Sequence, residues 1–309
     1  MKKIFAIVVA AAVLSGCATT VTIKRLAPAQ YDITGIKSVG FDTFDTRLNS
    51  LKNSGEMVTA ALEASLEKNG FFTVSPRLNS GEEPIAQIRG KKILRLDAPL
   101  DVDAEIRGEV TTCHVDKQRS KKRVERQVKK DDKTVMEVGY EPYVIKHATL
   151  SFSLEVKNRR TGNIIGQDTF KGIEDKDAQG ESNISFLPSD DTMLNNVMSE
   201  LANRFVDNIA PHPVAYKVTL EKVKLCNDAN KQAKKGDWDN ARLCWEGSIE
   251  PQALYNIGVG YEVFAHYDKA LEYFSKAAQH QNNALYVKAM TRAKSLLDQQ
   301  NRLKKQLGR

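Results

Sequence analysis

Ala148-Thr149-Leu150-Ser151-Phe152-Ser153-Leu154-Glu155-Val156 is the stretch that decides the fold of the larger part of this chain. Its apolar and polar residues alternate without a break, which predicts a strand with one buried face and one face in water. Arg159 to Asn163 supply a turn, and Ile164 to Phe170 complete a hairpin. Upstream, the alternation from Asp103 to Val115 predicts a neighbouring strand. In such a sheet only the apolar face has to be covered by helices, because the polar face is in contact with water.

A strand, helix, strand unit precedes this sheet in the sequence. Ile36 to Phe44 has the composition of a buried strand. A helix that begins near Ser54 is expected to end at Asn69-Gly70, where glycine permits the left-handed closing conformation. Phe71 to Ser75 follows as a strand, whereas residues 82 to 100 suit either a helix or an edge strand.

A long amphipathic helix closes this part of the chain. It opens at Ser189-Asp190-Asp191, where a capping serine and two acidic residues suit the positive end of a helix, and it ends before Pro211 and Pro213. Together these elements predict an α/β sandwich, in which helices pack on a mixed, largely antiparallel sheet. We place the boundary of this domain at the proline pair, so that it spans residues 31–212.

This domain resembles a known family of bacterial envelope proteins. The resemblance lies in Ile36 to Phe44, in Lys68-Asn69-Gly70-Phe71 with Val74, in Ala104 to Val110 and in the turn at Thr161-Gly162. These segments are similar to the curli secretion lipoprotein CsgG and its relatives, which include the TolB N-terminal domain and the penicillin-binding-protein activator LpoB. The resemblance covers Tyr31 to His212 and implies an α/β fold that serves export, secretion or wall synthesis.

The segment from residue 213 to 309 carries a different, all-helical pattern. Small and aromatic residues recur at spacings that resemble the tetratricopeptide (TPR) repeat, in which small residues lie where two helices cross. One copy comprises Leu254, Ile257, Gly258, Tyr261, Ala270, Phe274 and Ala277, and a second comprises Leu225, Ala229, Gly236, Trp238, Ala241 and Trp245. One more helix after Asn282 is expected to cap the stack. The resemblance implies a helical-hairpin module that binds a protein partner.

Four cysteines occur in the chain, and the TPR resemblance bears on two of them. In a TPR hairpin Ala229 faces Ala241, so that Cys226 and Cys244, each three residues further out, come close to each other. We therefore expect a disulfide between them, with two buried thiols as the alternative. Cys113 is expected to be a small core residue of a strand.

The first residues of the chain have the layout of a bacterial secretory signal. Lys2 and Lys3 precede an apolar run that ends at Leu14 and is too short to span a bilayer. Leu14-Ser15-Gly16-Cys17 resembles the lipobox of bacterial lipoproteins, which implies a signal peptide over residues 1–16 and acylation of Cys17; an ordinary signal that ends near a cysteine is the alternative. Residues 17–30 are expected to form a tether. The lipoprotein resemblance also implies a location: Ala18, and not Asp, follows the cysteine, which in such lipoproteins favours the outer membrane, facing the periplasm.

The formal net charge of +7 is unevenly distributed. A basic run lies within residues 117–142, between two predicted strands, and is expected to form an arm that leaves the sheet. It is either a solvated loop or a contact for anionic lipid or lipopolysaccharide. No aromatic residues interleave with the basic ones, so that nucleic acid is not an expected partner. The run contains Lys117, Arg119, Lys121, Lys122, Arg123, Arg126, Lys129 and Lys130.

The sequence offers no catalytic motif, and we expect neither an enzyme nor a cofactor. Cys113 and His114 would point to opposite faces of a strand, and the other histidines lack ligand spacing, so that no metal site is expected. The aromatic residues of the helical segment are expected to be core, with a peptide groove as the alternative. They are Tyr255, Tyr261, Phe264, Tyr267 and Tyr273.

These observations favour a lipid-anchored periplasmic scaffold or accessory protein that binds an envelope protein through its helical module. The alternative is a ring-forming component of an outer-membrane secretion or polymer-export apparatus. A secretion pore would need hairpins that alternate apolar and polar residues over about ten positions. The run from Lys117 to Lys133 lacks that alternation and argues against a pore.

Overall fold

The computed structural model describes residues 19–46, 53–75, 102–130, 133–226 and 228–308. It divides into two compact units. Of these described residues, those within 28–212 and 304–308 form the α/β unit, and those within 19–27 and 213–303 form the helical unit. Cys17 and residues 82–100 lie outside the described residues.

The α/β unit is built on a six-stranded mixed sheet. Its strands are β2 (Ser38–Phe41), β3 (Asp45–Thr46), β4 (Thr73–Ser75), β5 (Ala104–Lys130), β6 (Lys133–Asn158) and β7 (Ile164–Gln179). Their order is β4-β2-β5-β6-β7, and β3 pairs with β5. The pairings of β2 with β4 and β5 are parallel, and β5, β6 and β7 form an antiparallel meander. The predicted mixed sheet is therefore confirmed.

Helices α1 (Ser54–Asn69) and α3 (Asp190–Ile209) cover one face of this sheet, and the short α2 (Glu181–Ser185) follows β7. Both long helices begin and end as the sequence predicts. The Ser189 side chain accepts a hydrogen bond from the Thr192 amide, and Gly70 has a φ of 72° at the end of α1. The core between helices and sheet contains Phe41, Phe152, Phe170, Leu201 and Phe205.

The helical unit contains two helix pairs and a long final helix. They are α4 (Ala229–Lys234), α5 (Trp238–Glu246), α6 (Pro251–Val263), α7 (Tyr267–His280) and α8 (Ala284–Gln306). Helix α8 belongs to this unit as far as Leu303. Gly236, with a φ of 94°, allows the tight turn between α4 and α5. Gly258 lies where α6 crosses α7, because a Cβ there would meet the Phe274 ring at 2.6 Å.

The expected tether over residues 17–30 is wrong for the part that the structure describes. Thr19–Ala27 forms strand β1, which pairs with β8 (His212–Leu220) in a two-stranded sheet. The physical reason is burial: Val21 and Ile23 pack in the core of the helical unit, together with Val218 and Leu220 of β8. Helix α3 therefore ends before Pro211, as predicted, but Pro213 is the second residue of a strand that the sequence did not suggest.

Among the described residues, no helix has both the length and the apolar character that membrane crossing requires.

Candidate functional site

A cleft of about 410 Å³ lies on the helical unit. Helices α5 and α6, the turn between α6 and α7 and the first turn of α7 contribute its walls. Its lining residues are Trp238, Asp239, Arg242, Gly260, Tyr261, Phe264, His266 and Lys269. The cleft thus joins aromatic surface to two cationic side chains, which is the composition of a site for a ligand with both apolar and anionic groups.

Local hydrogen bonds set the shape of this cleft. The Asp237 side chain accepts from the Asn240 amide and fixes the start of α5. The turn after α6 places Ala265 at a φ of 57°, and the His266 amide donates to the Tyr261 carbonyl over 2.9 Å. The Gln300 side chain of α8 donates to the Ala265 carbonyl over 2.9 Å. This turn is therefore held from both sides, and Phe264 projects from it with 54% of its surface exposed.

Tyr261 is the centre of the cleft. Its ring stacks on Tyr273 with the centroids 5.3 Å apart and meets the His266 ring edge-on at 6.4 Å. The Lys269 ammonium lies 5.4 Å and the Arg242 guanidinium 6.0 Å from its centroid. A hydrogen bond with Tyr261 and the charge of Glu246 raise the pKa of Arg242. Two positive charges, those of Lys269 and Arg242, therefore lie close to the Tyr261 ring.

Two acidic side chains lie beside this pair of cations, and both contact Arg242. Arg242 lies 3.9 Å from Asp239 and 3.6 Å from Glu246, both as ion pairs along one helix. Such exposed pairs are weak, at about 0.3–0.5 kcal/mol, so that an incoming carboxylate can displace them. Arg242 and Lys269 are therefore available to bind an anionic group, while Phe264 and Tyr261 offer apolar contact.

A buried ion pair supports this region from within the unit. Glu262 is fully buried next to Tyr261, and its carboxylate accepts hydrogen bonds from Arg292 over 2.7 and 2.9 Å and from the Tyr216 hydroxyl over 2.7 Å. Burial lowers the pKa of Arg292, but the hydrogen bonds and charge of Glu262 outweigh it and raise the pKa overall. Burial and the Glu262 carboxylate likewise raise the pKa of Tyr216. The end of α6 is thus fixed by charge-assisted hydrogen bonds.

The structure buries most residues of the TPR-like pattern. Those in the interior or at helix crossings are Ala229, Ala241, Trp245, Gly258, Ala270, Phe274 and Ala277, while Leu254 and Tyr261 are half-buried. Two residues of the pattern are exposed: Gly236, in the turn after α4, and Leu225, with 82% of its surface in solvent. Leu225 is exposed because α4 begins only at Ala229, after a stretch held by hydrogen bonds of Glu221 with Asn230 and Asn256.

Cys226 and Cys244 form a disulfide in the structure, with their Cα atoms 5.8 Å apart. Cys226 is buried and Cys244 is half-buried, so that the bridge joins the segment before α4 to helix α5. Cys113 is a free, half-buried cysteine that faces the core of the α/β unit, and burial raises the pKa of its thiol. His114 points the other way and contacts Asp116 over 3.1 Å.

The basic residues from 117 to 142 lie on an extension of strands β5 and β6 and not in an irregular loop. Seven of the eight predicted cationic side chains are exposed there, and the side chain of Lys130 lies outside the described set. Within the described ranges, no group of three or more His, Cys, Asp or Glu side chains is arranged to hold a metal ion.

A second cleft, of about 440 Å³, lies on the open face of the α/β sheet. Glu105 carries an ion pair with Arg159, and Arg107 carries one with Glu155. Burial and a hydrogen bond with Glu105 raise the pKa of Asp42. Sequence patterns missed this group because Asp42 and Glu105 are distant along the chain and meet only through the parallel pairing of β2 with β5. Glu105 and Glu155 are each paired with an arginine, and we assign this cleft no function.

Comparisons with known proteins give a limited result. A family model described as a domain of unknown function, DUF6340, matches residues 227–305, which is less than half of the chain. No curated protein matches the chain.

The chain is also similar to several solved structures. A PelC dodecamer from Paraburkholderia phytofirmans is 11% identical over 62% of this chain and 99% of that chain, with a TM-score of 0.31. Protein XCC0632 from Xanthomonas campestris is 7% identical over 59% and 89%, with a TM-score of 0.33. Lipoprotein GNA1162 from Neisseria meningitidis is 14% identical over 55% and 99%, with a TM-score of 0.27. At these scores the likenesses carry no argument about this chain.

Proposed function

We propose that this chain is a lipid-anchored accessory protein of the bacterial envelope, which binds a protein partner at the cleft around Tyr261. The cleft carries the proposal, because it combines exposed apolar surface with two cations on a unit that is held rigidly from within. The anchor is supported by the lipobox-like Leu14-Ser15-Gly16-Cys17 after an apolar run. Acyl chains on Cys17 would bury many methylenes at about 0.8 kcal/mol each.

Strand β1 changes what such an anchor would do. Cys17 precedes Thr19 by two residues, which span at most about 7 Å at roughly 3.5 Å per residue. Because β1 belongs to the helical unit, this unit and its cleft would be held at the surface of the membrane. A partner of the cleft would accordingly be an envelope protein that is itself close to that surface.

The helical pairs supply the scaffold of the proposed site. We propose that α4 to α7 are TPR-like repeats, which is supported by the small residues Gly258 and Ala270 at the crossing of α6 with α7. We likewise propose that the α/β unit is related to CsgG, on the strength of the segments quoted above. In TPR-like modules partners are bound by side chains on fixed helices, which limits the entropy that binding costs.

The chemistry of the cleft indicates the class of partner segment. Phe264 is exposed at its rim, and Arg242 and Lys269 flank the Tyr261 ring. A peptide that carries an apolar or aromatic side chain next to a carboxylate would satisfy both features. The partner segment is therefore expected to be acidic and to contain such an apolar anchor.

The experiment compares partner capture by matched variants in crosslinked cells. Phe264→Ala and Lys269→Glu change the cleft, whereas Val287→Ala and Lys288→Glu make comparable changes at exposed positions of α8 that do not line it. We expect the cleft variants to lose at least 10-fold in the amount of captured partner and the α8 variants to keep it. Equal capture by all four would refute the assignment of binding to the cleft.

The alternative function, a ring-forming export component, makes a different prediction. A closed ring requires a large discrete oligomer, whereas an accessory protein requires none. Light scattering on the mature chain with Cys17→Ser separates the two. We expect a monomer, and a single large oligomer would favour the ring.

A further inference from the structure

Strands β5 and β6 continue well beyond the rest of their sheet. The last pairing of β7 with β6 joins Gln179 to Tyr143, which itself pairs with Ser120. From Lys121 to Lys130 the two strands pair only with each other, ending at the pair of Lys130 with Lys133. At about 3.3 Å per residue this two-stranded ribbon is roughly 33 Å long.

One face of the ribbon continues the helix-covered face of the sheet. On β6 the row of core-facing residues runs through Phe152, Leu150 and Ala148 to Val144, all of which are buried. Near the end of this row the Lys146 ammonium donates to the Pro188 carbonyl over 2.8 Å and pairs with Asp190 at the start of α3 over 2.7 Å. We call the face beyond Val144 the apolar–basic face.

The apolar row does not stop where its helices stop. On the apolar–basic face the same side of β6 presents Tyr140, Val138 and Met136, which are 69%, 48% and 57% exposed. Three successive apolar side chains on one side of β6 are thus exposed to solvent. In the other half of the strand, the side chains on this same side are buried. Such a row, which none of the described residues covers, indicates a contact surface.

The cross-strand partners of this row carry positive charge. On β5, Lys121 pairs with Pro142, Arg123 with Tyr140 and Lys129 with Thr134, so that their side chains share the face with the apolar row. Glu125 is the one acidic residue of β5 on this face, and it forms an ion pair with Arg123 over 2.9 Å. A net positive row therefore runs beside an apolar row.

On the opposite face of the ribbon, two cations lie close to one acidic side chain. Arg126 forms an ion pair with Glu141 there, and Lys122 pairs across the strands with the same glutamate. The Lys122 ammonium also lies 4.8 Å from the centroid of the Tyr143 ring. The charges of Lys122 and Arg126 are thus offset locally by Glu141, and this pair of cations serves as the control.

We infer that the apolar–basic face docks on a membrane surface rich in anionic lipid. Anionic headgroups would be met by Lys121, Arg123 and Lys129, and the side chains of Met136, Val138 and Tyr140 would enter the interfacial region. Tyrosine is well suited to that depth, because its ring is apolar and its hydroxyl polar. The inference does not depend on the cleft, since ribbon and cleft belong to different units.

The same features argue against other occupants. A hydrophilic polyanion would pair with the lysines and Arg123 but would leave the apolar row in water. A second copy of the face would set one basic row close to another, at an electrostatic cost. An anionic lipid surface is the occupant that uses both rows together.

The test measures partitioning of the mature chain onto vesicles. Cys17→Ser removes the acyl chains, which would otherwise hide a weaker contact. Sedimentation compares vesicles of phosphatidylcholine alone with vesicles that also contain phosphatidylglycerol. Since each basic residue near an anionic surface contributes a factor of about 5 to binding, Lys121→Gln with Arg123→Gln should weaken partitioning by about 25-fold.

Two further variants make the test specific to the face. Val138→Asn with Tyr140→Ser keeps the charges and removes apolar surface, so that partitioning onto anionic vesicles should also fall by at least 5-fold. Lys122→Gln with Arg126→Gln removes the same number of charges from the opposite face and should change partitioning by less than 3-fold. Unchanged circular dichroism shows that each variant is folded.

Several outcomes would overturn the inference. They are equal partitioning onto neutral and anionic vesicles, equal losses from the two faces, and no loss when Val138 and Tyr140 are replaced. Binding of heparin that ignores the apolar substitutions, without binding of vesicles, would identify a soluble polyanion as the ligand. Self-association that the face variants abolish, without binding of vesicles, would identify a second copy.

Discussion

Replacement of Glu262 by Ala tests whether the buried ion pair holds the helical unit together. The substitution removes the acceptor of three hydrogen bonds, two from Arg292 and one from the Tyr216 hydroxyl, at distances of 2.7–2.9 Å. Removing one partner of a buried pair costs about 3–5 kcal/mol, because the other charge is left without compensation. The Arg292 side chain is 28% exposed and regains part of its hydration, which places the expected loss near the lower end, at about 3 kcal/mol.

The measurement is chemical and thermal unfolding of the mature Cys17→Ser chain, followed by circular dichroism. A loss of about 3 kcal/mol should lower the unfolding temperature of the helical unit by roughly 15 °C. Glu272→Ala is the matched control, because Glu272 pairs with Lys276 on the surface of α7 over 2.6 Å. An exposed pair of this kind contributes little to stability, because water screens its charges.

A double variant separates the charge from the packing. Glu262→Met with Arg292→Met replaces both charges by apolar side chains of similar length, and it should recover at least half of the loss, since no charge is left unpaired. If Glu262→Ala costs no more than Glu272→Ala, the buried pair does not stabilise the unit. If the double variant is less stable than Glu262→Ala, the loss comes from packing and not from the unpaired charge.

Three more predictions concern other parts of the fold. Reduction of the Cys226–Cys244 disulfide should cost about 3 kcal/mol by the chain-entropy model, and peptide mapping without reductant should show these two cysteines linked; two free thiols would contradict it. Gly258→Ala should cost about 1–3 kcal/mol, because its Cβ would meet the Phe274 ring at 2.6 Å, whereas Gly260→Ala, with its nearest atom at 3.7 Å, should cost less; equal unfolding midpoints would contradict the close crossing. Backbone hydrogen bonds from Lys37 and Ser38 lower the pKa of Asp103, so that its contribution to stability is present above the unfolded pKa of about 3.9 and is lost as the pH falls through the folded value. Asp103→Asn should therefore lose less stability than the parent chain in an acid titration below about pH 4, and parallel titrations would contradict this.

The sequence predicted those elements whose signal is local. The strand around Phe152 alternates without interruption, and the helices at Ser54 and Ser189 have recognisable ends, so that pattern and structure agree. The two-stranded sheet of β1 and β8 was missed, because its strands lie almost two hundred residues apart in the sequence. No local pattern indicates a partner at that distance, and the polar residues of β1 suggested a tether.

The ribbon was only partly foreseen. The basic run was expected to leave the sheet as an arm. Its strand structure was not predicted, because most positions are charged and only Val124 and Val128 remain of an apolar alternation on β5. The opposing strand supplies the missing signal, since Val135, Val138 and Tyr140 favour extended structure. A search for cross-strand partners, rather than for single strands, would have predicted the ribbon.

No single segment of the sequence predicts the cleft. Its residues come from three helices and a turn, and their meeting depends on the close crossing at Gly258. Tyr261 and Phe264 were considered for a groove, but the pattern favoured the core for both. In the structure Phe264 is exposed and Tyr261 is half-buried between cations, because the turn at Ala265 directs them to the surface.

The central proposal is that the helical unit binds an envelope protein at this cleft. The most direct measurement places a photocrosslinking amino acid at Phe264 in living cells, with Val287, an exposed apolar residue of α8 outside the cleft, as the control position. We predict a specific adduct from position 264 that disappears when Lys269→Glu is added, and none from position 287. An adduct of equal strength from both positions, or one that survives Lys269→Glu, would contradict the proposal.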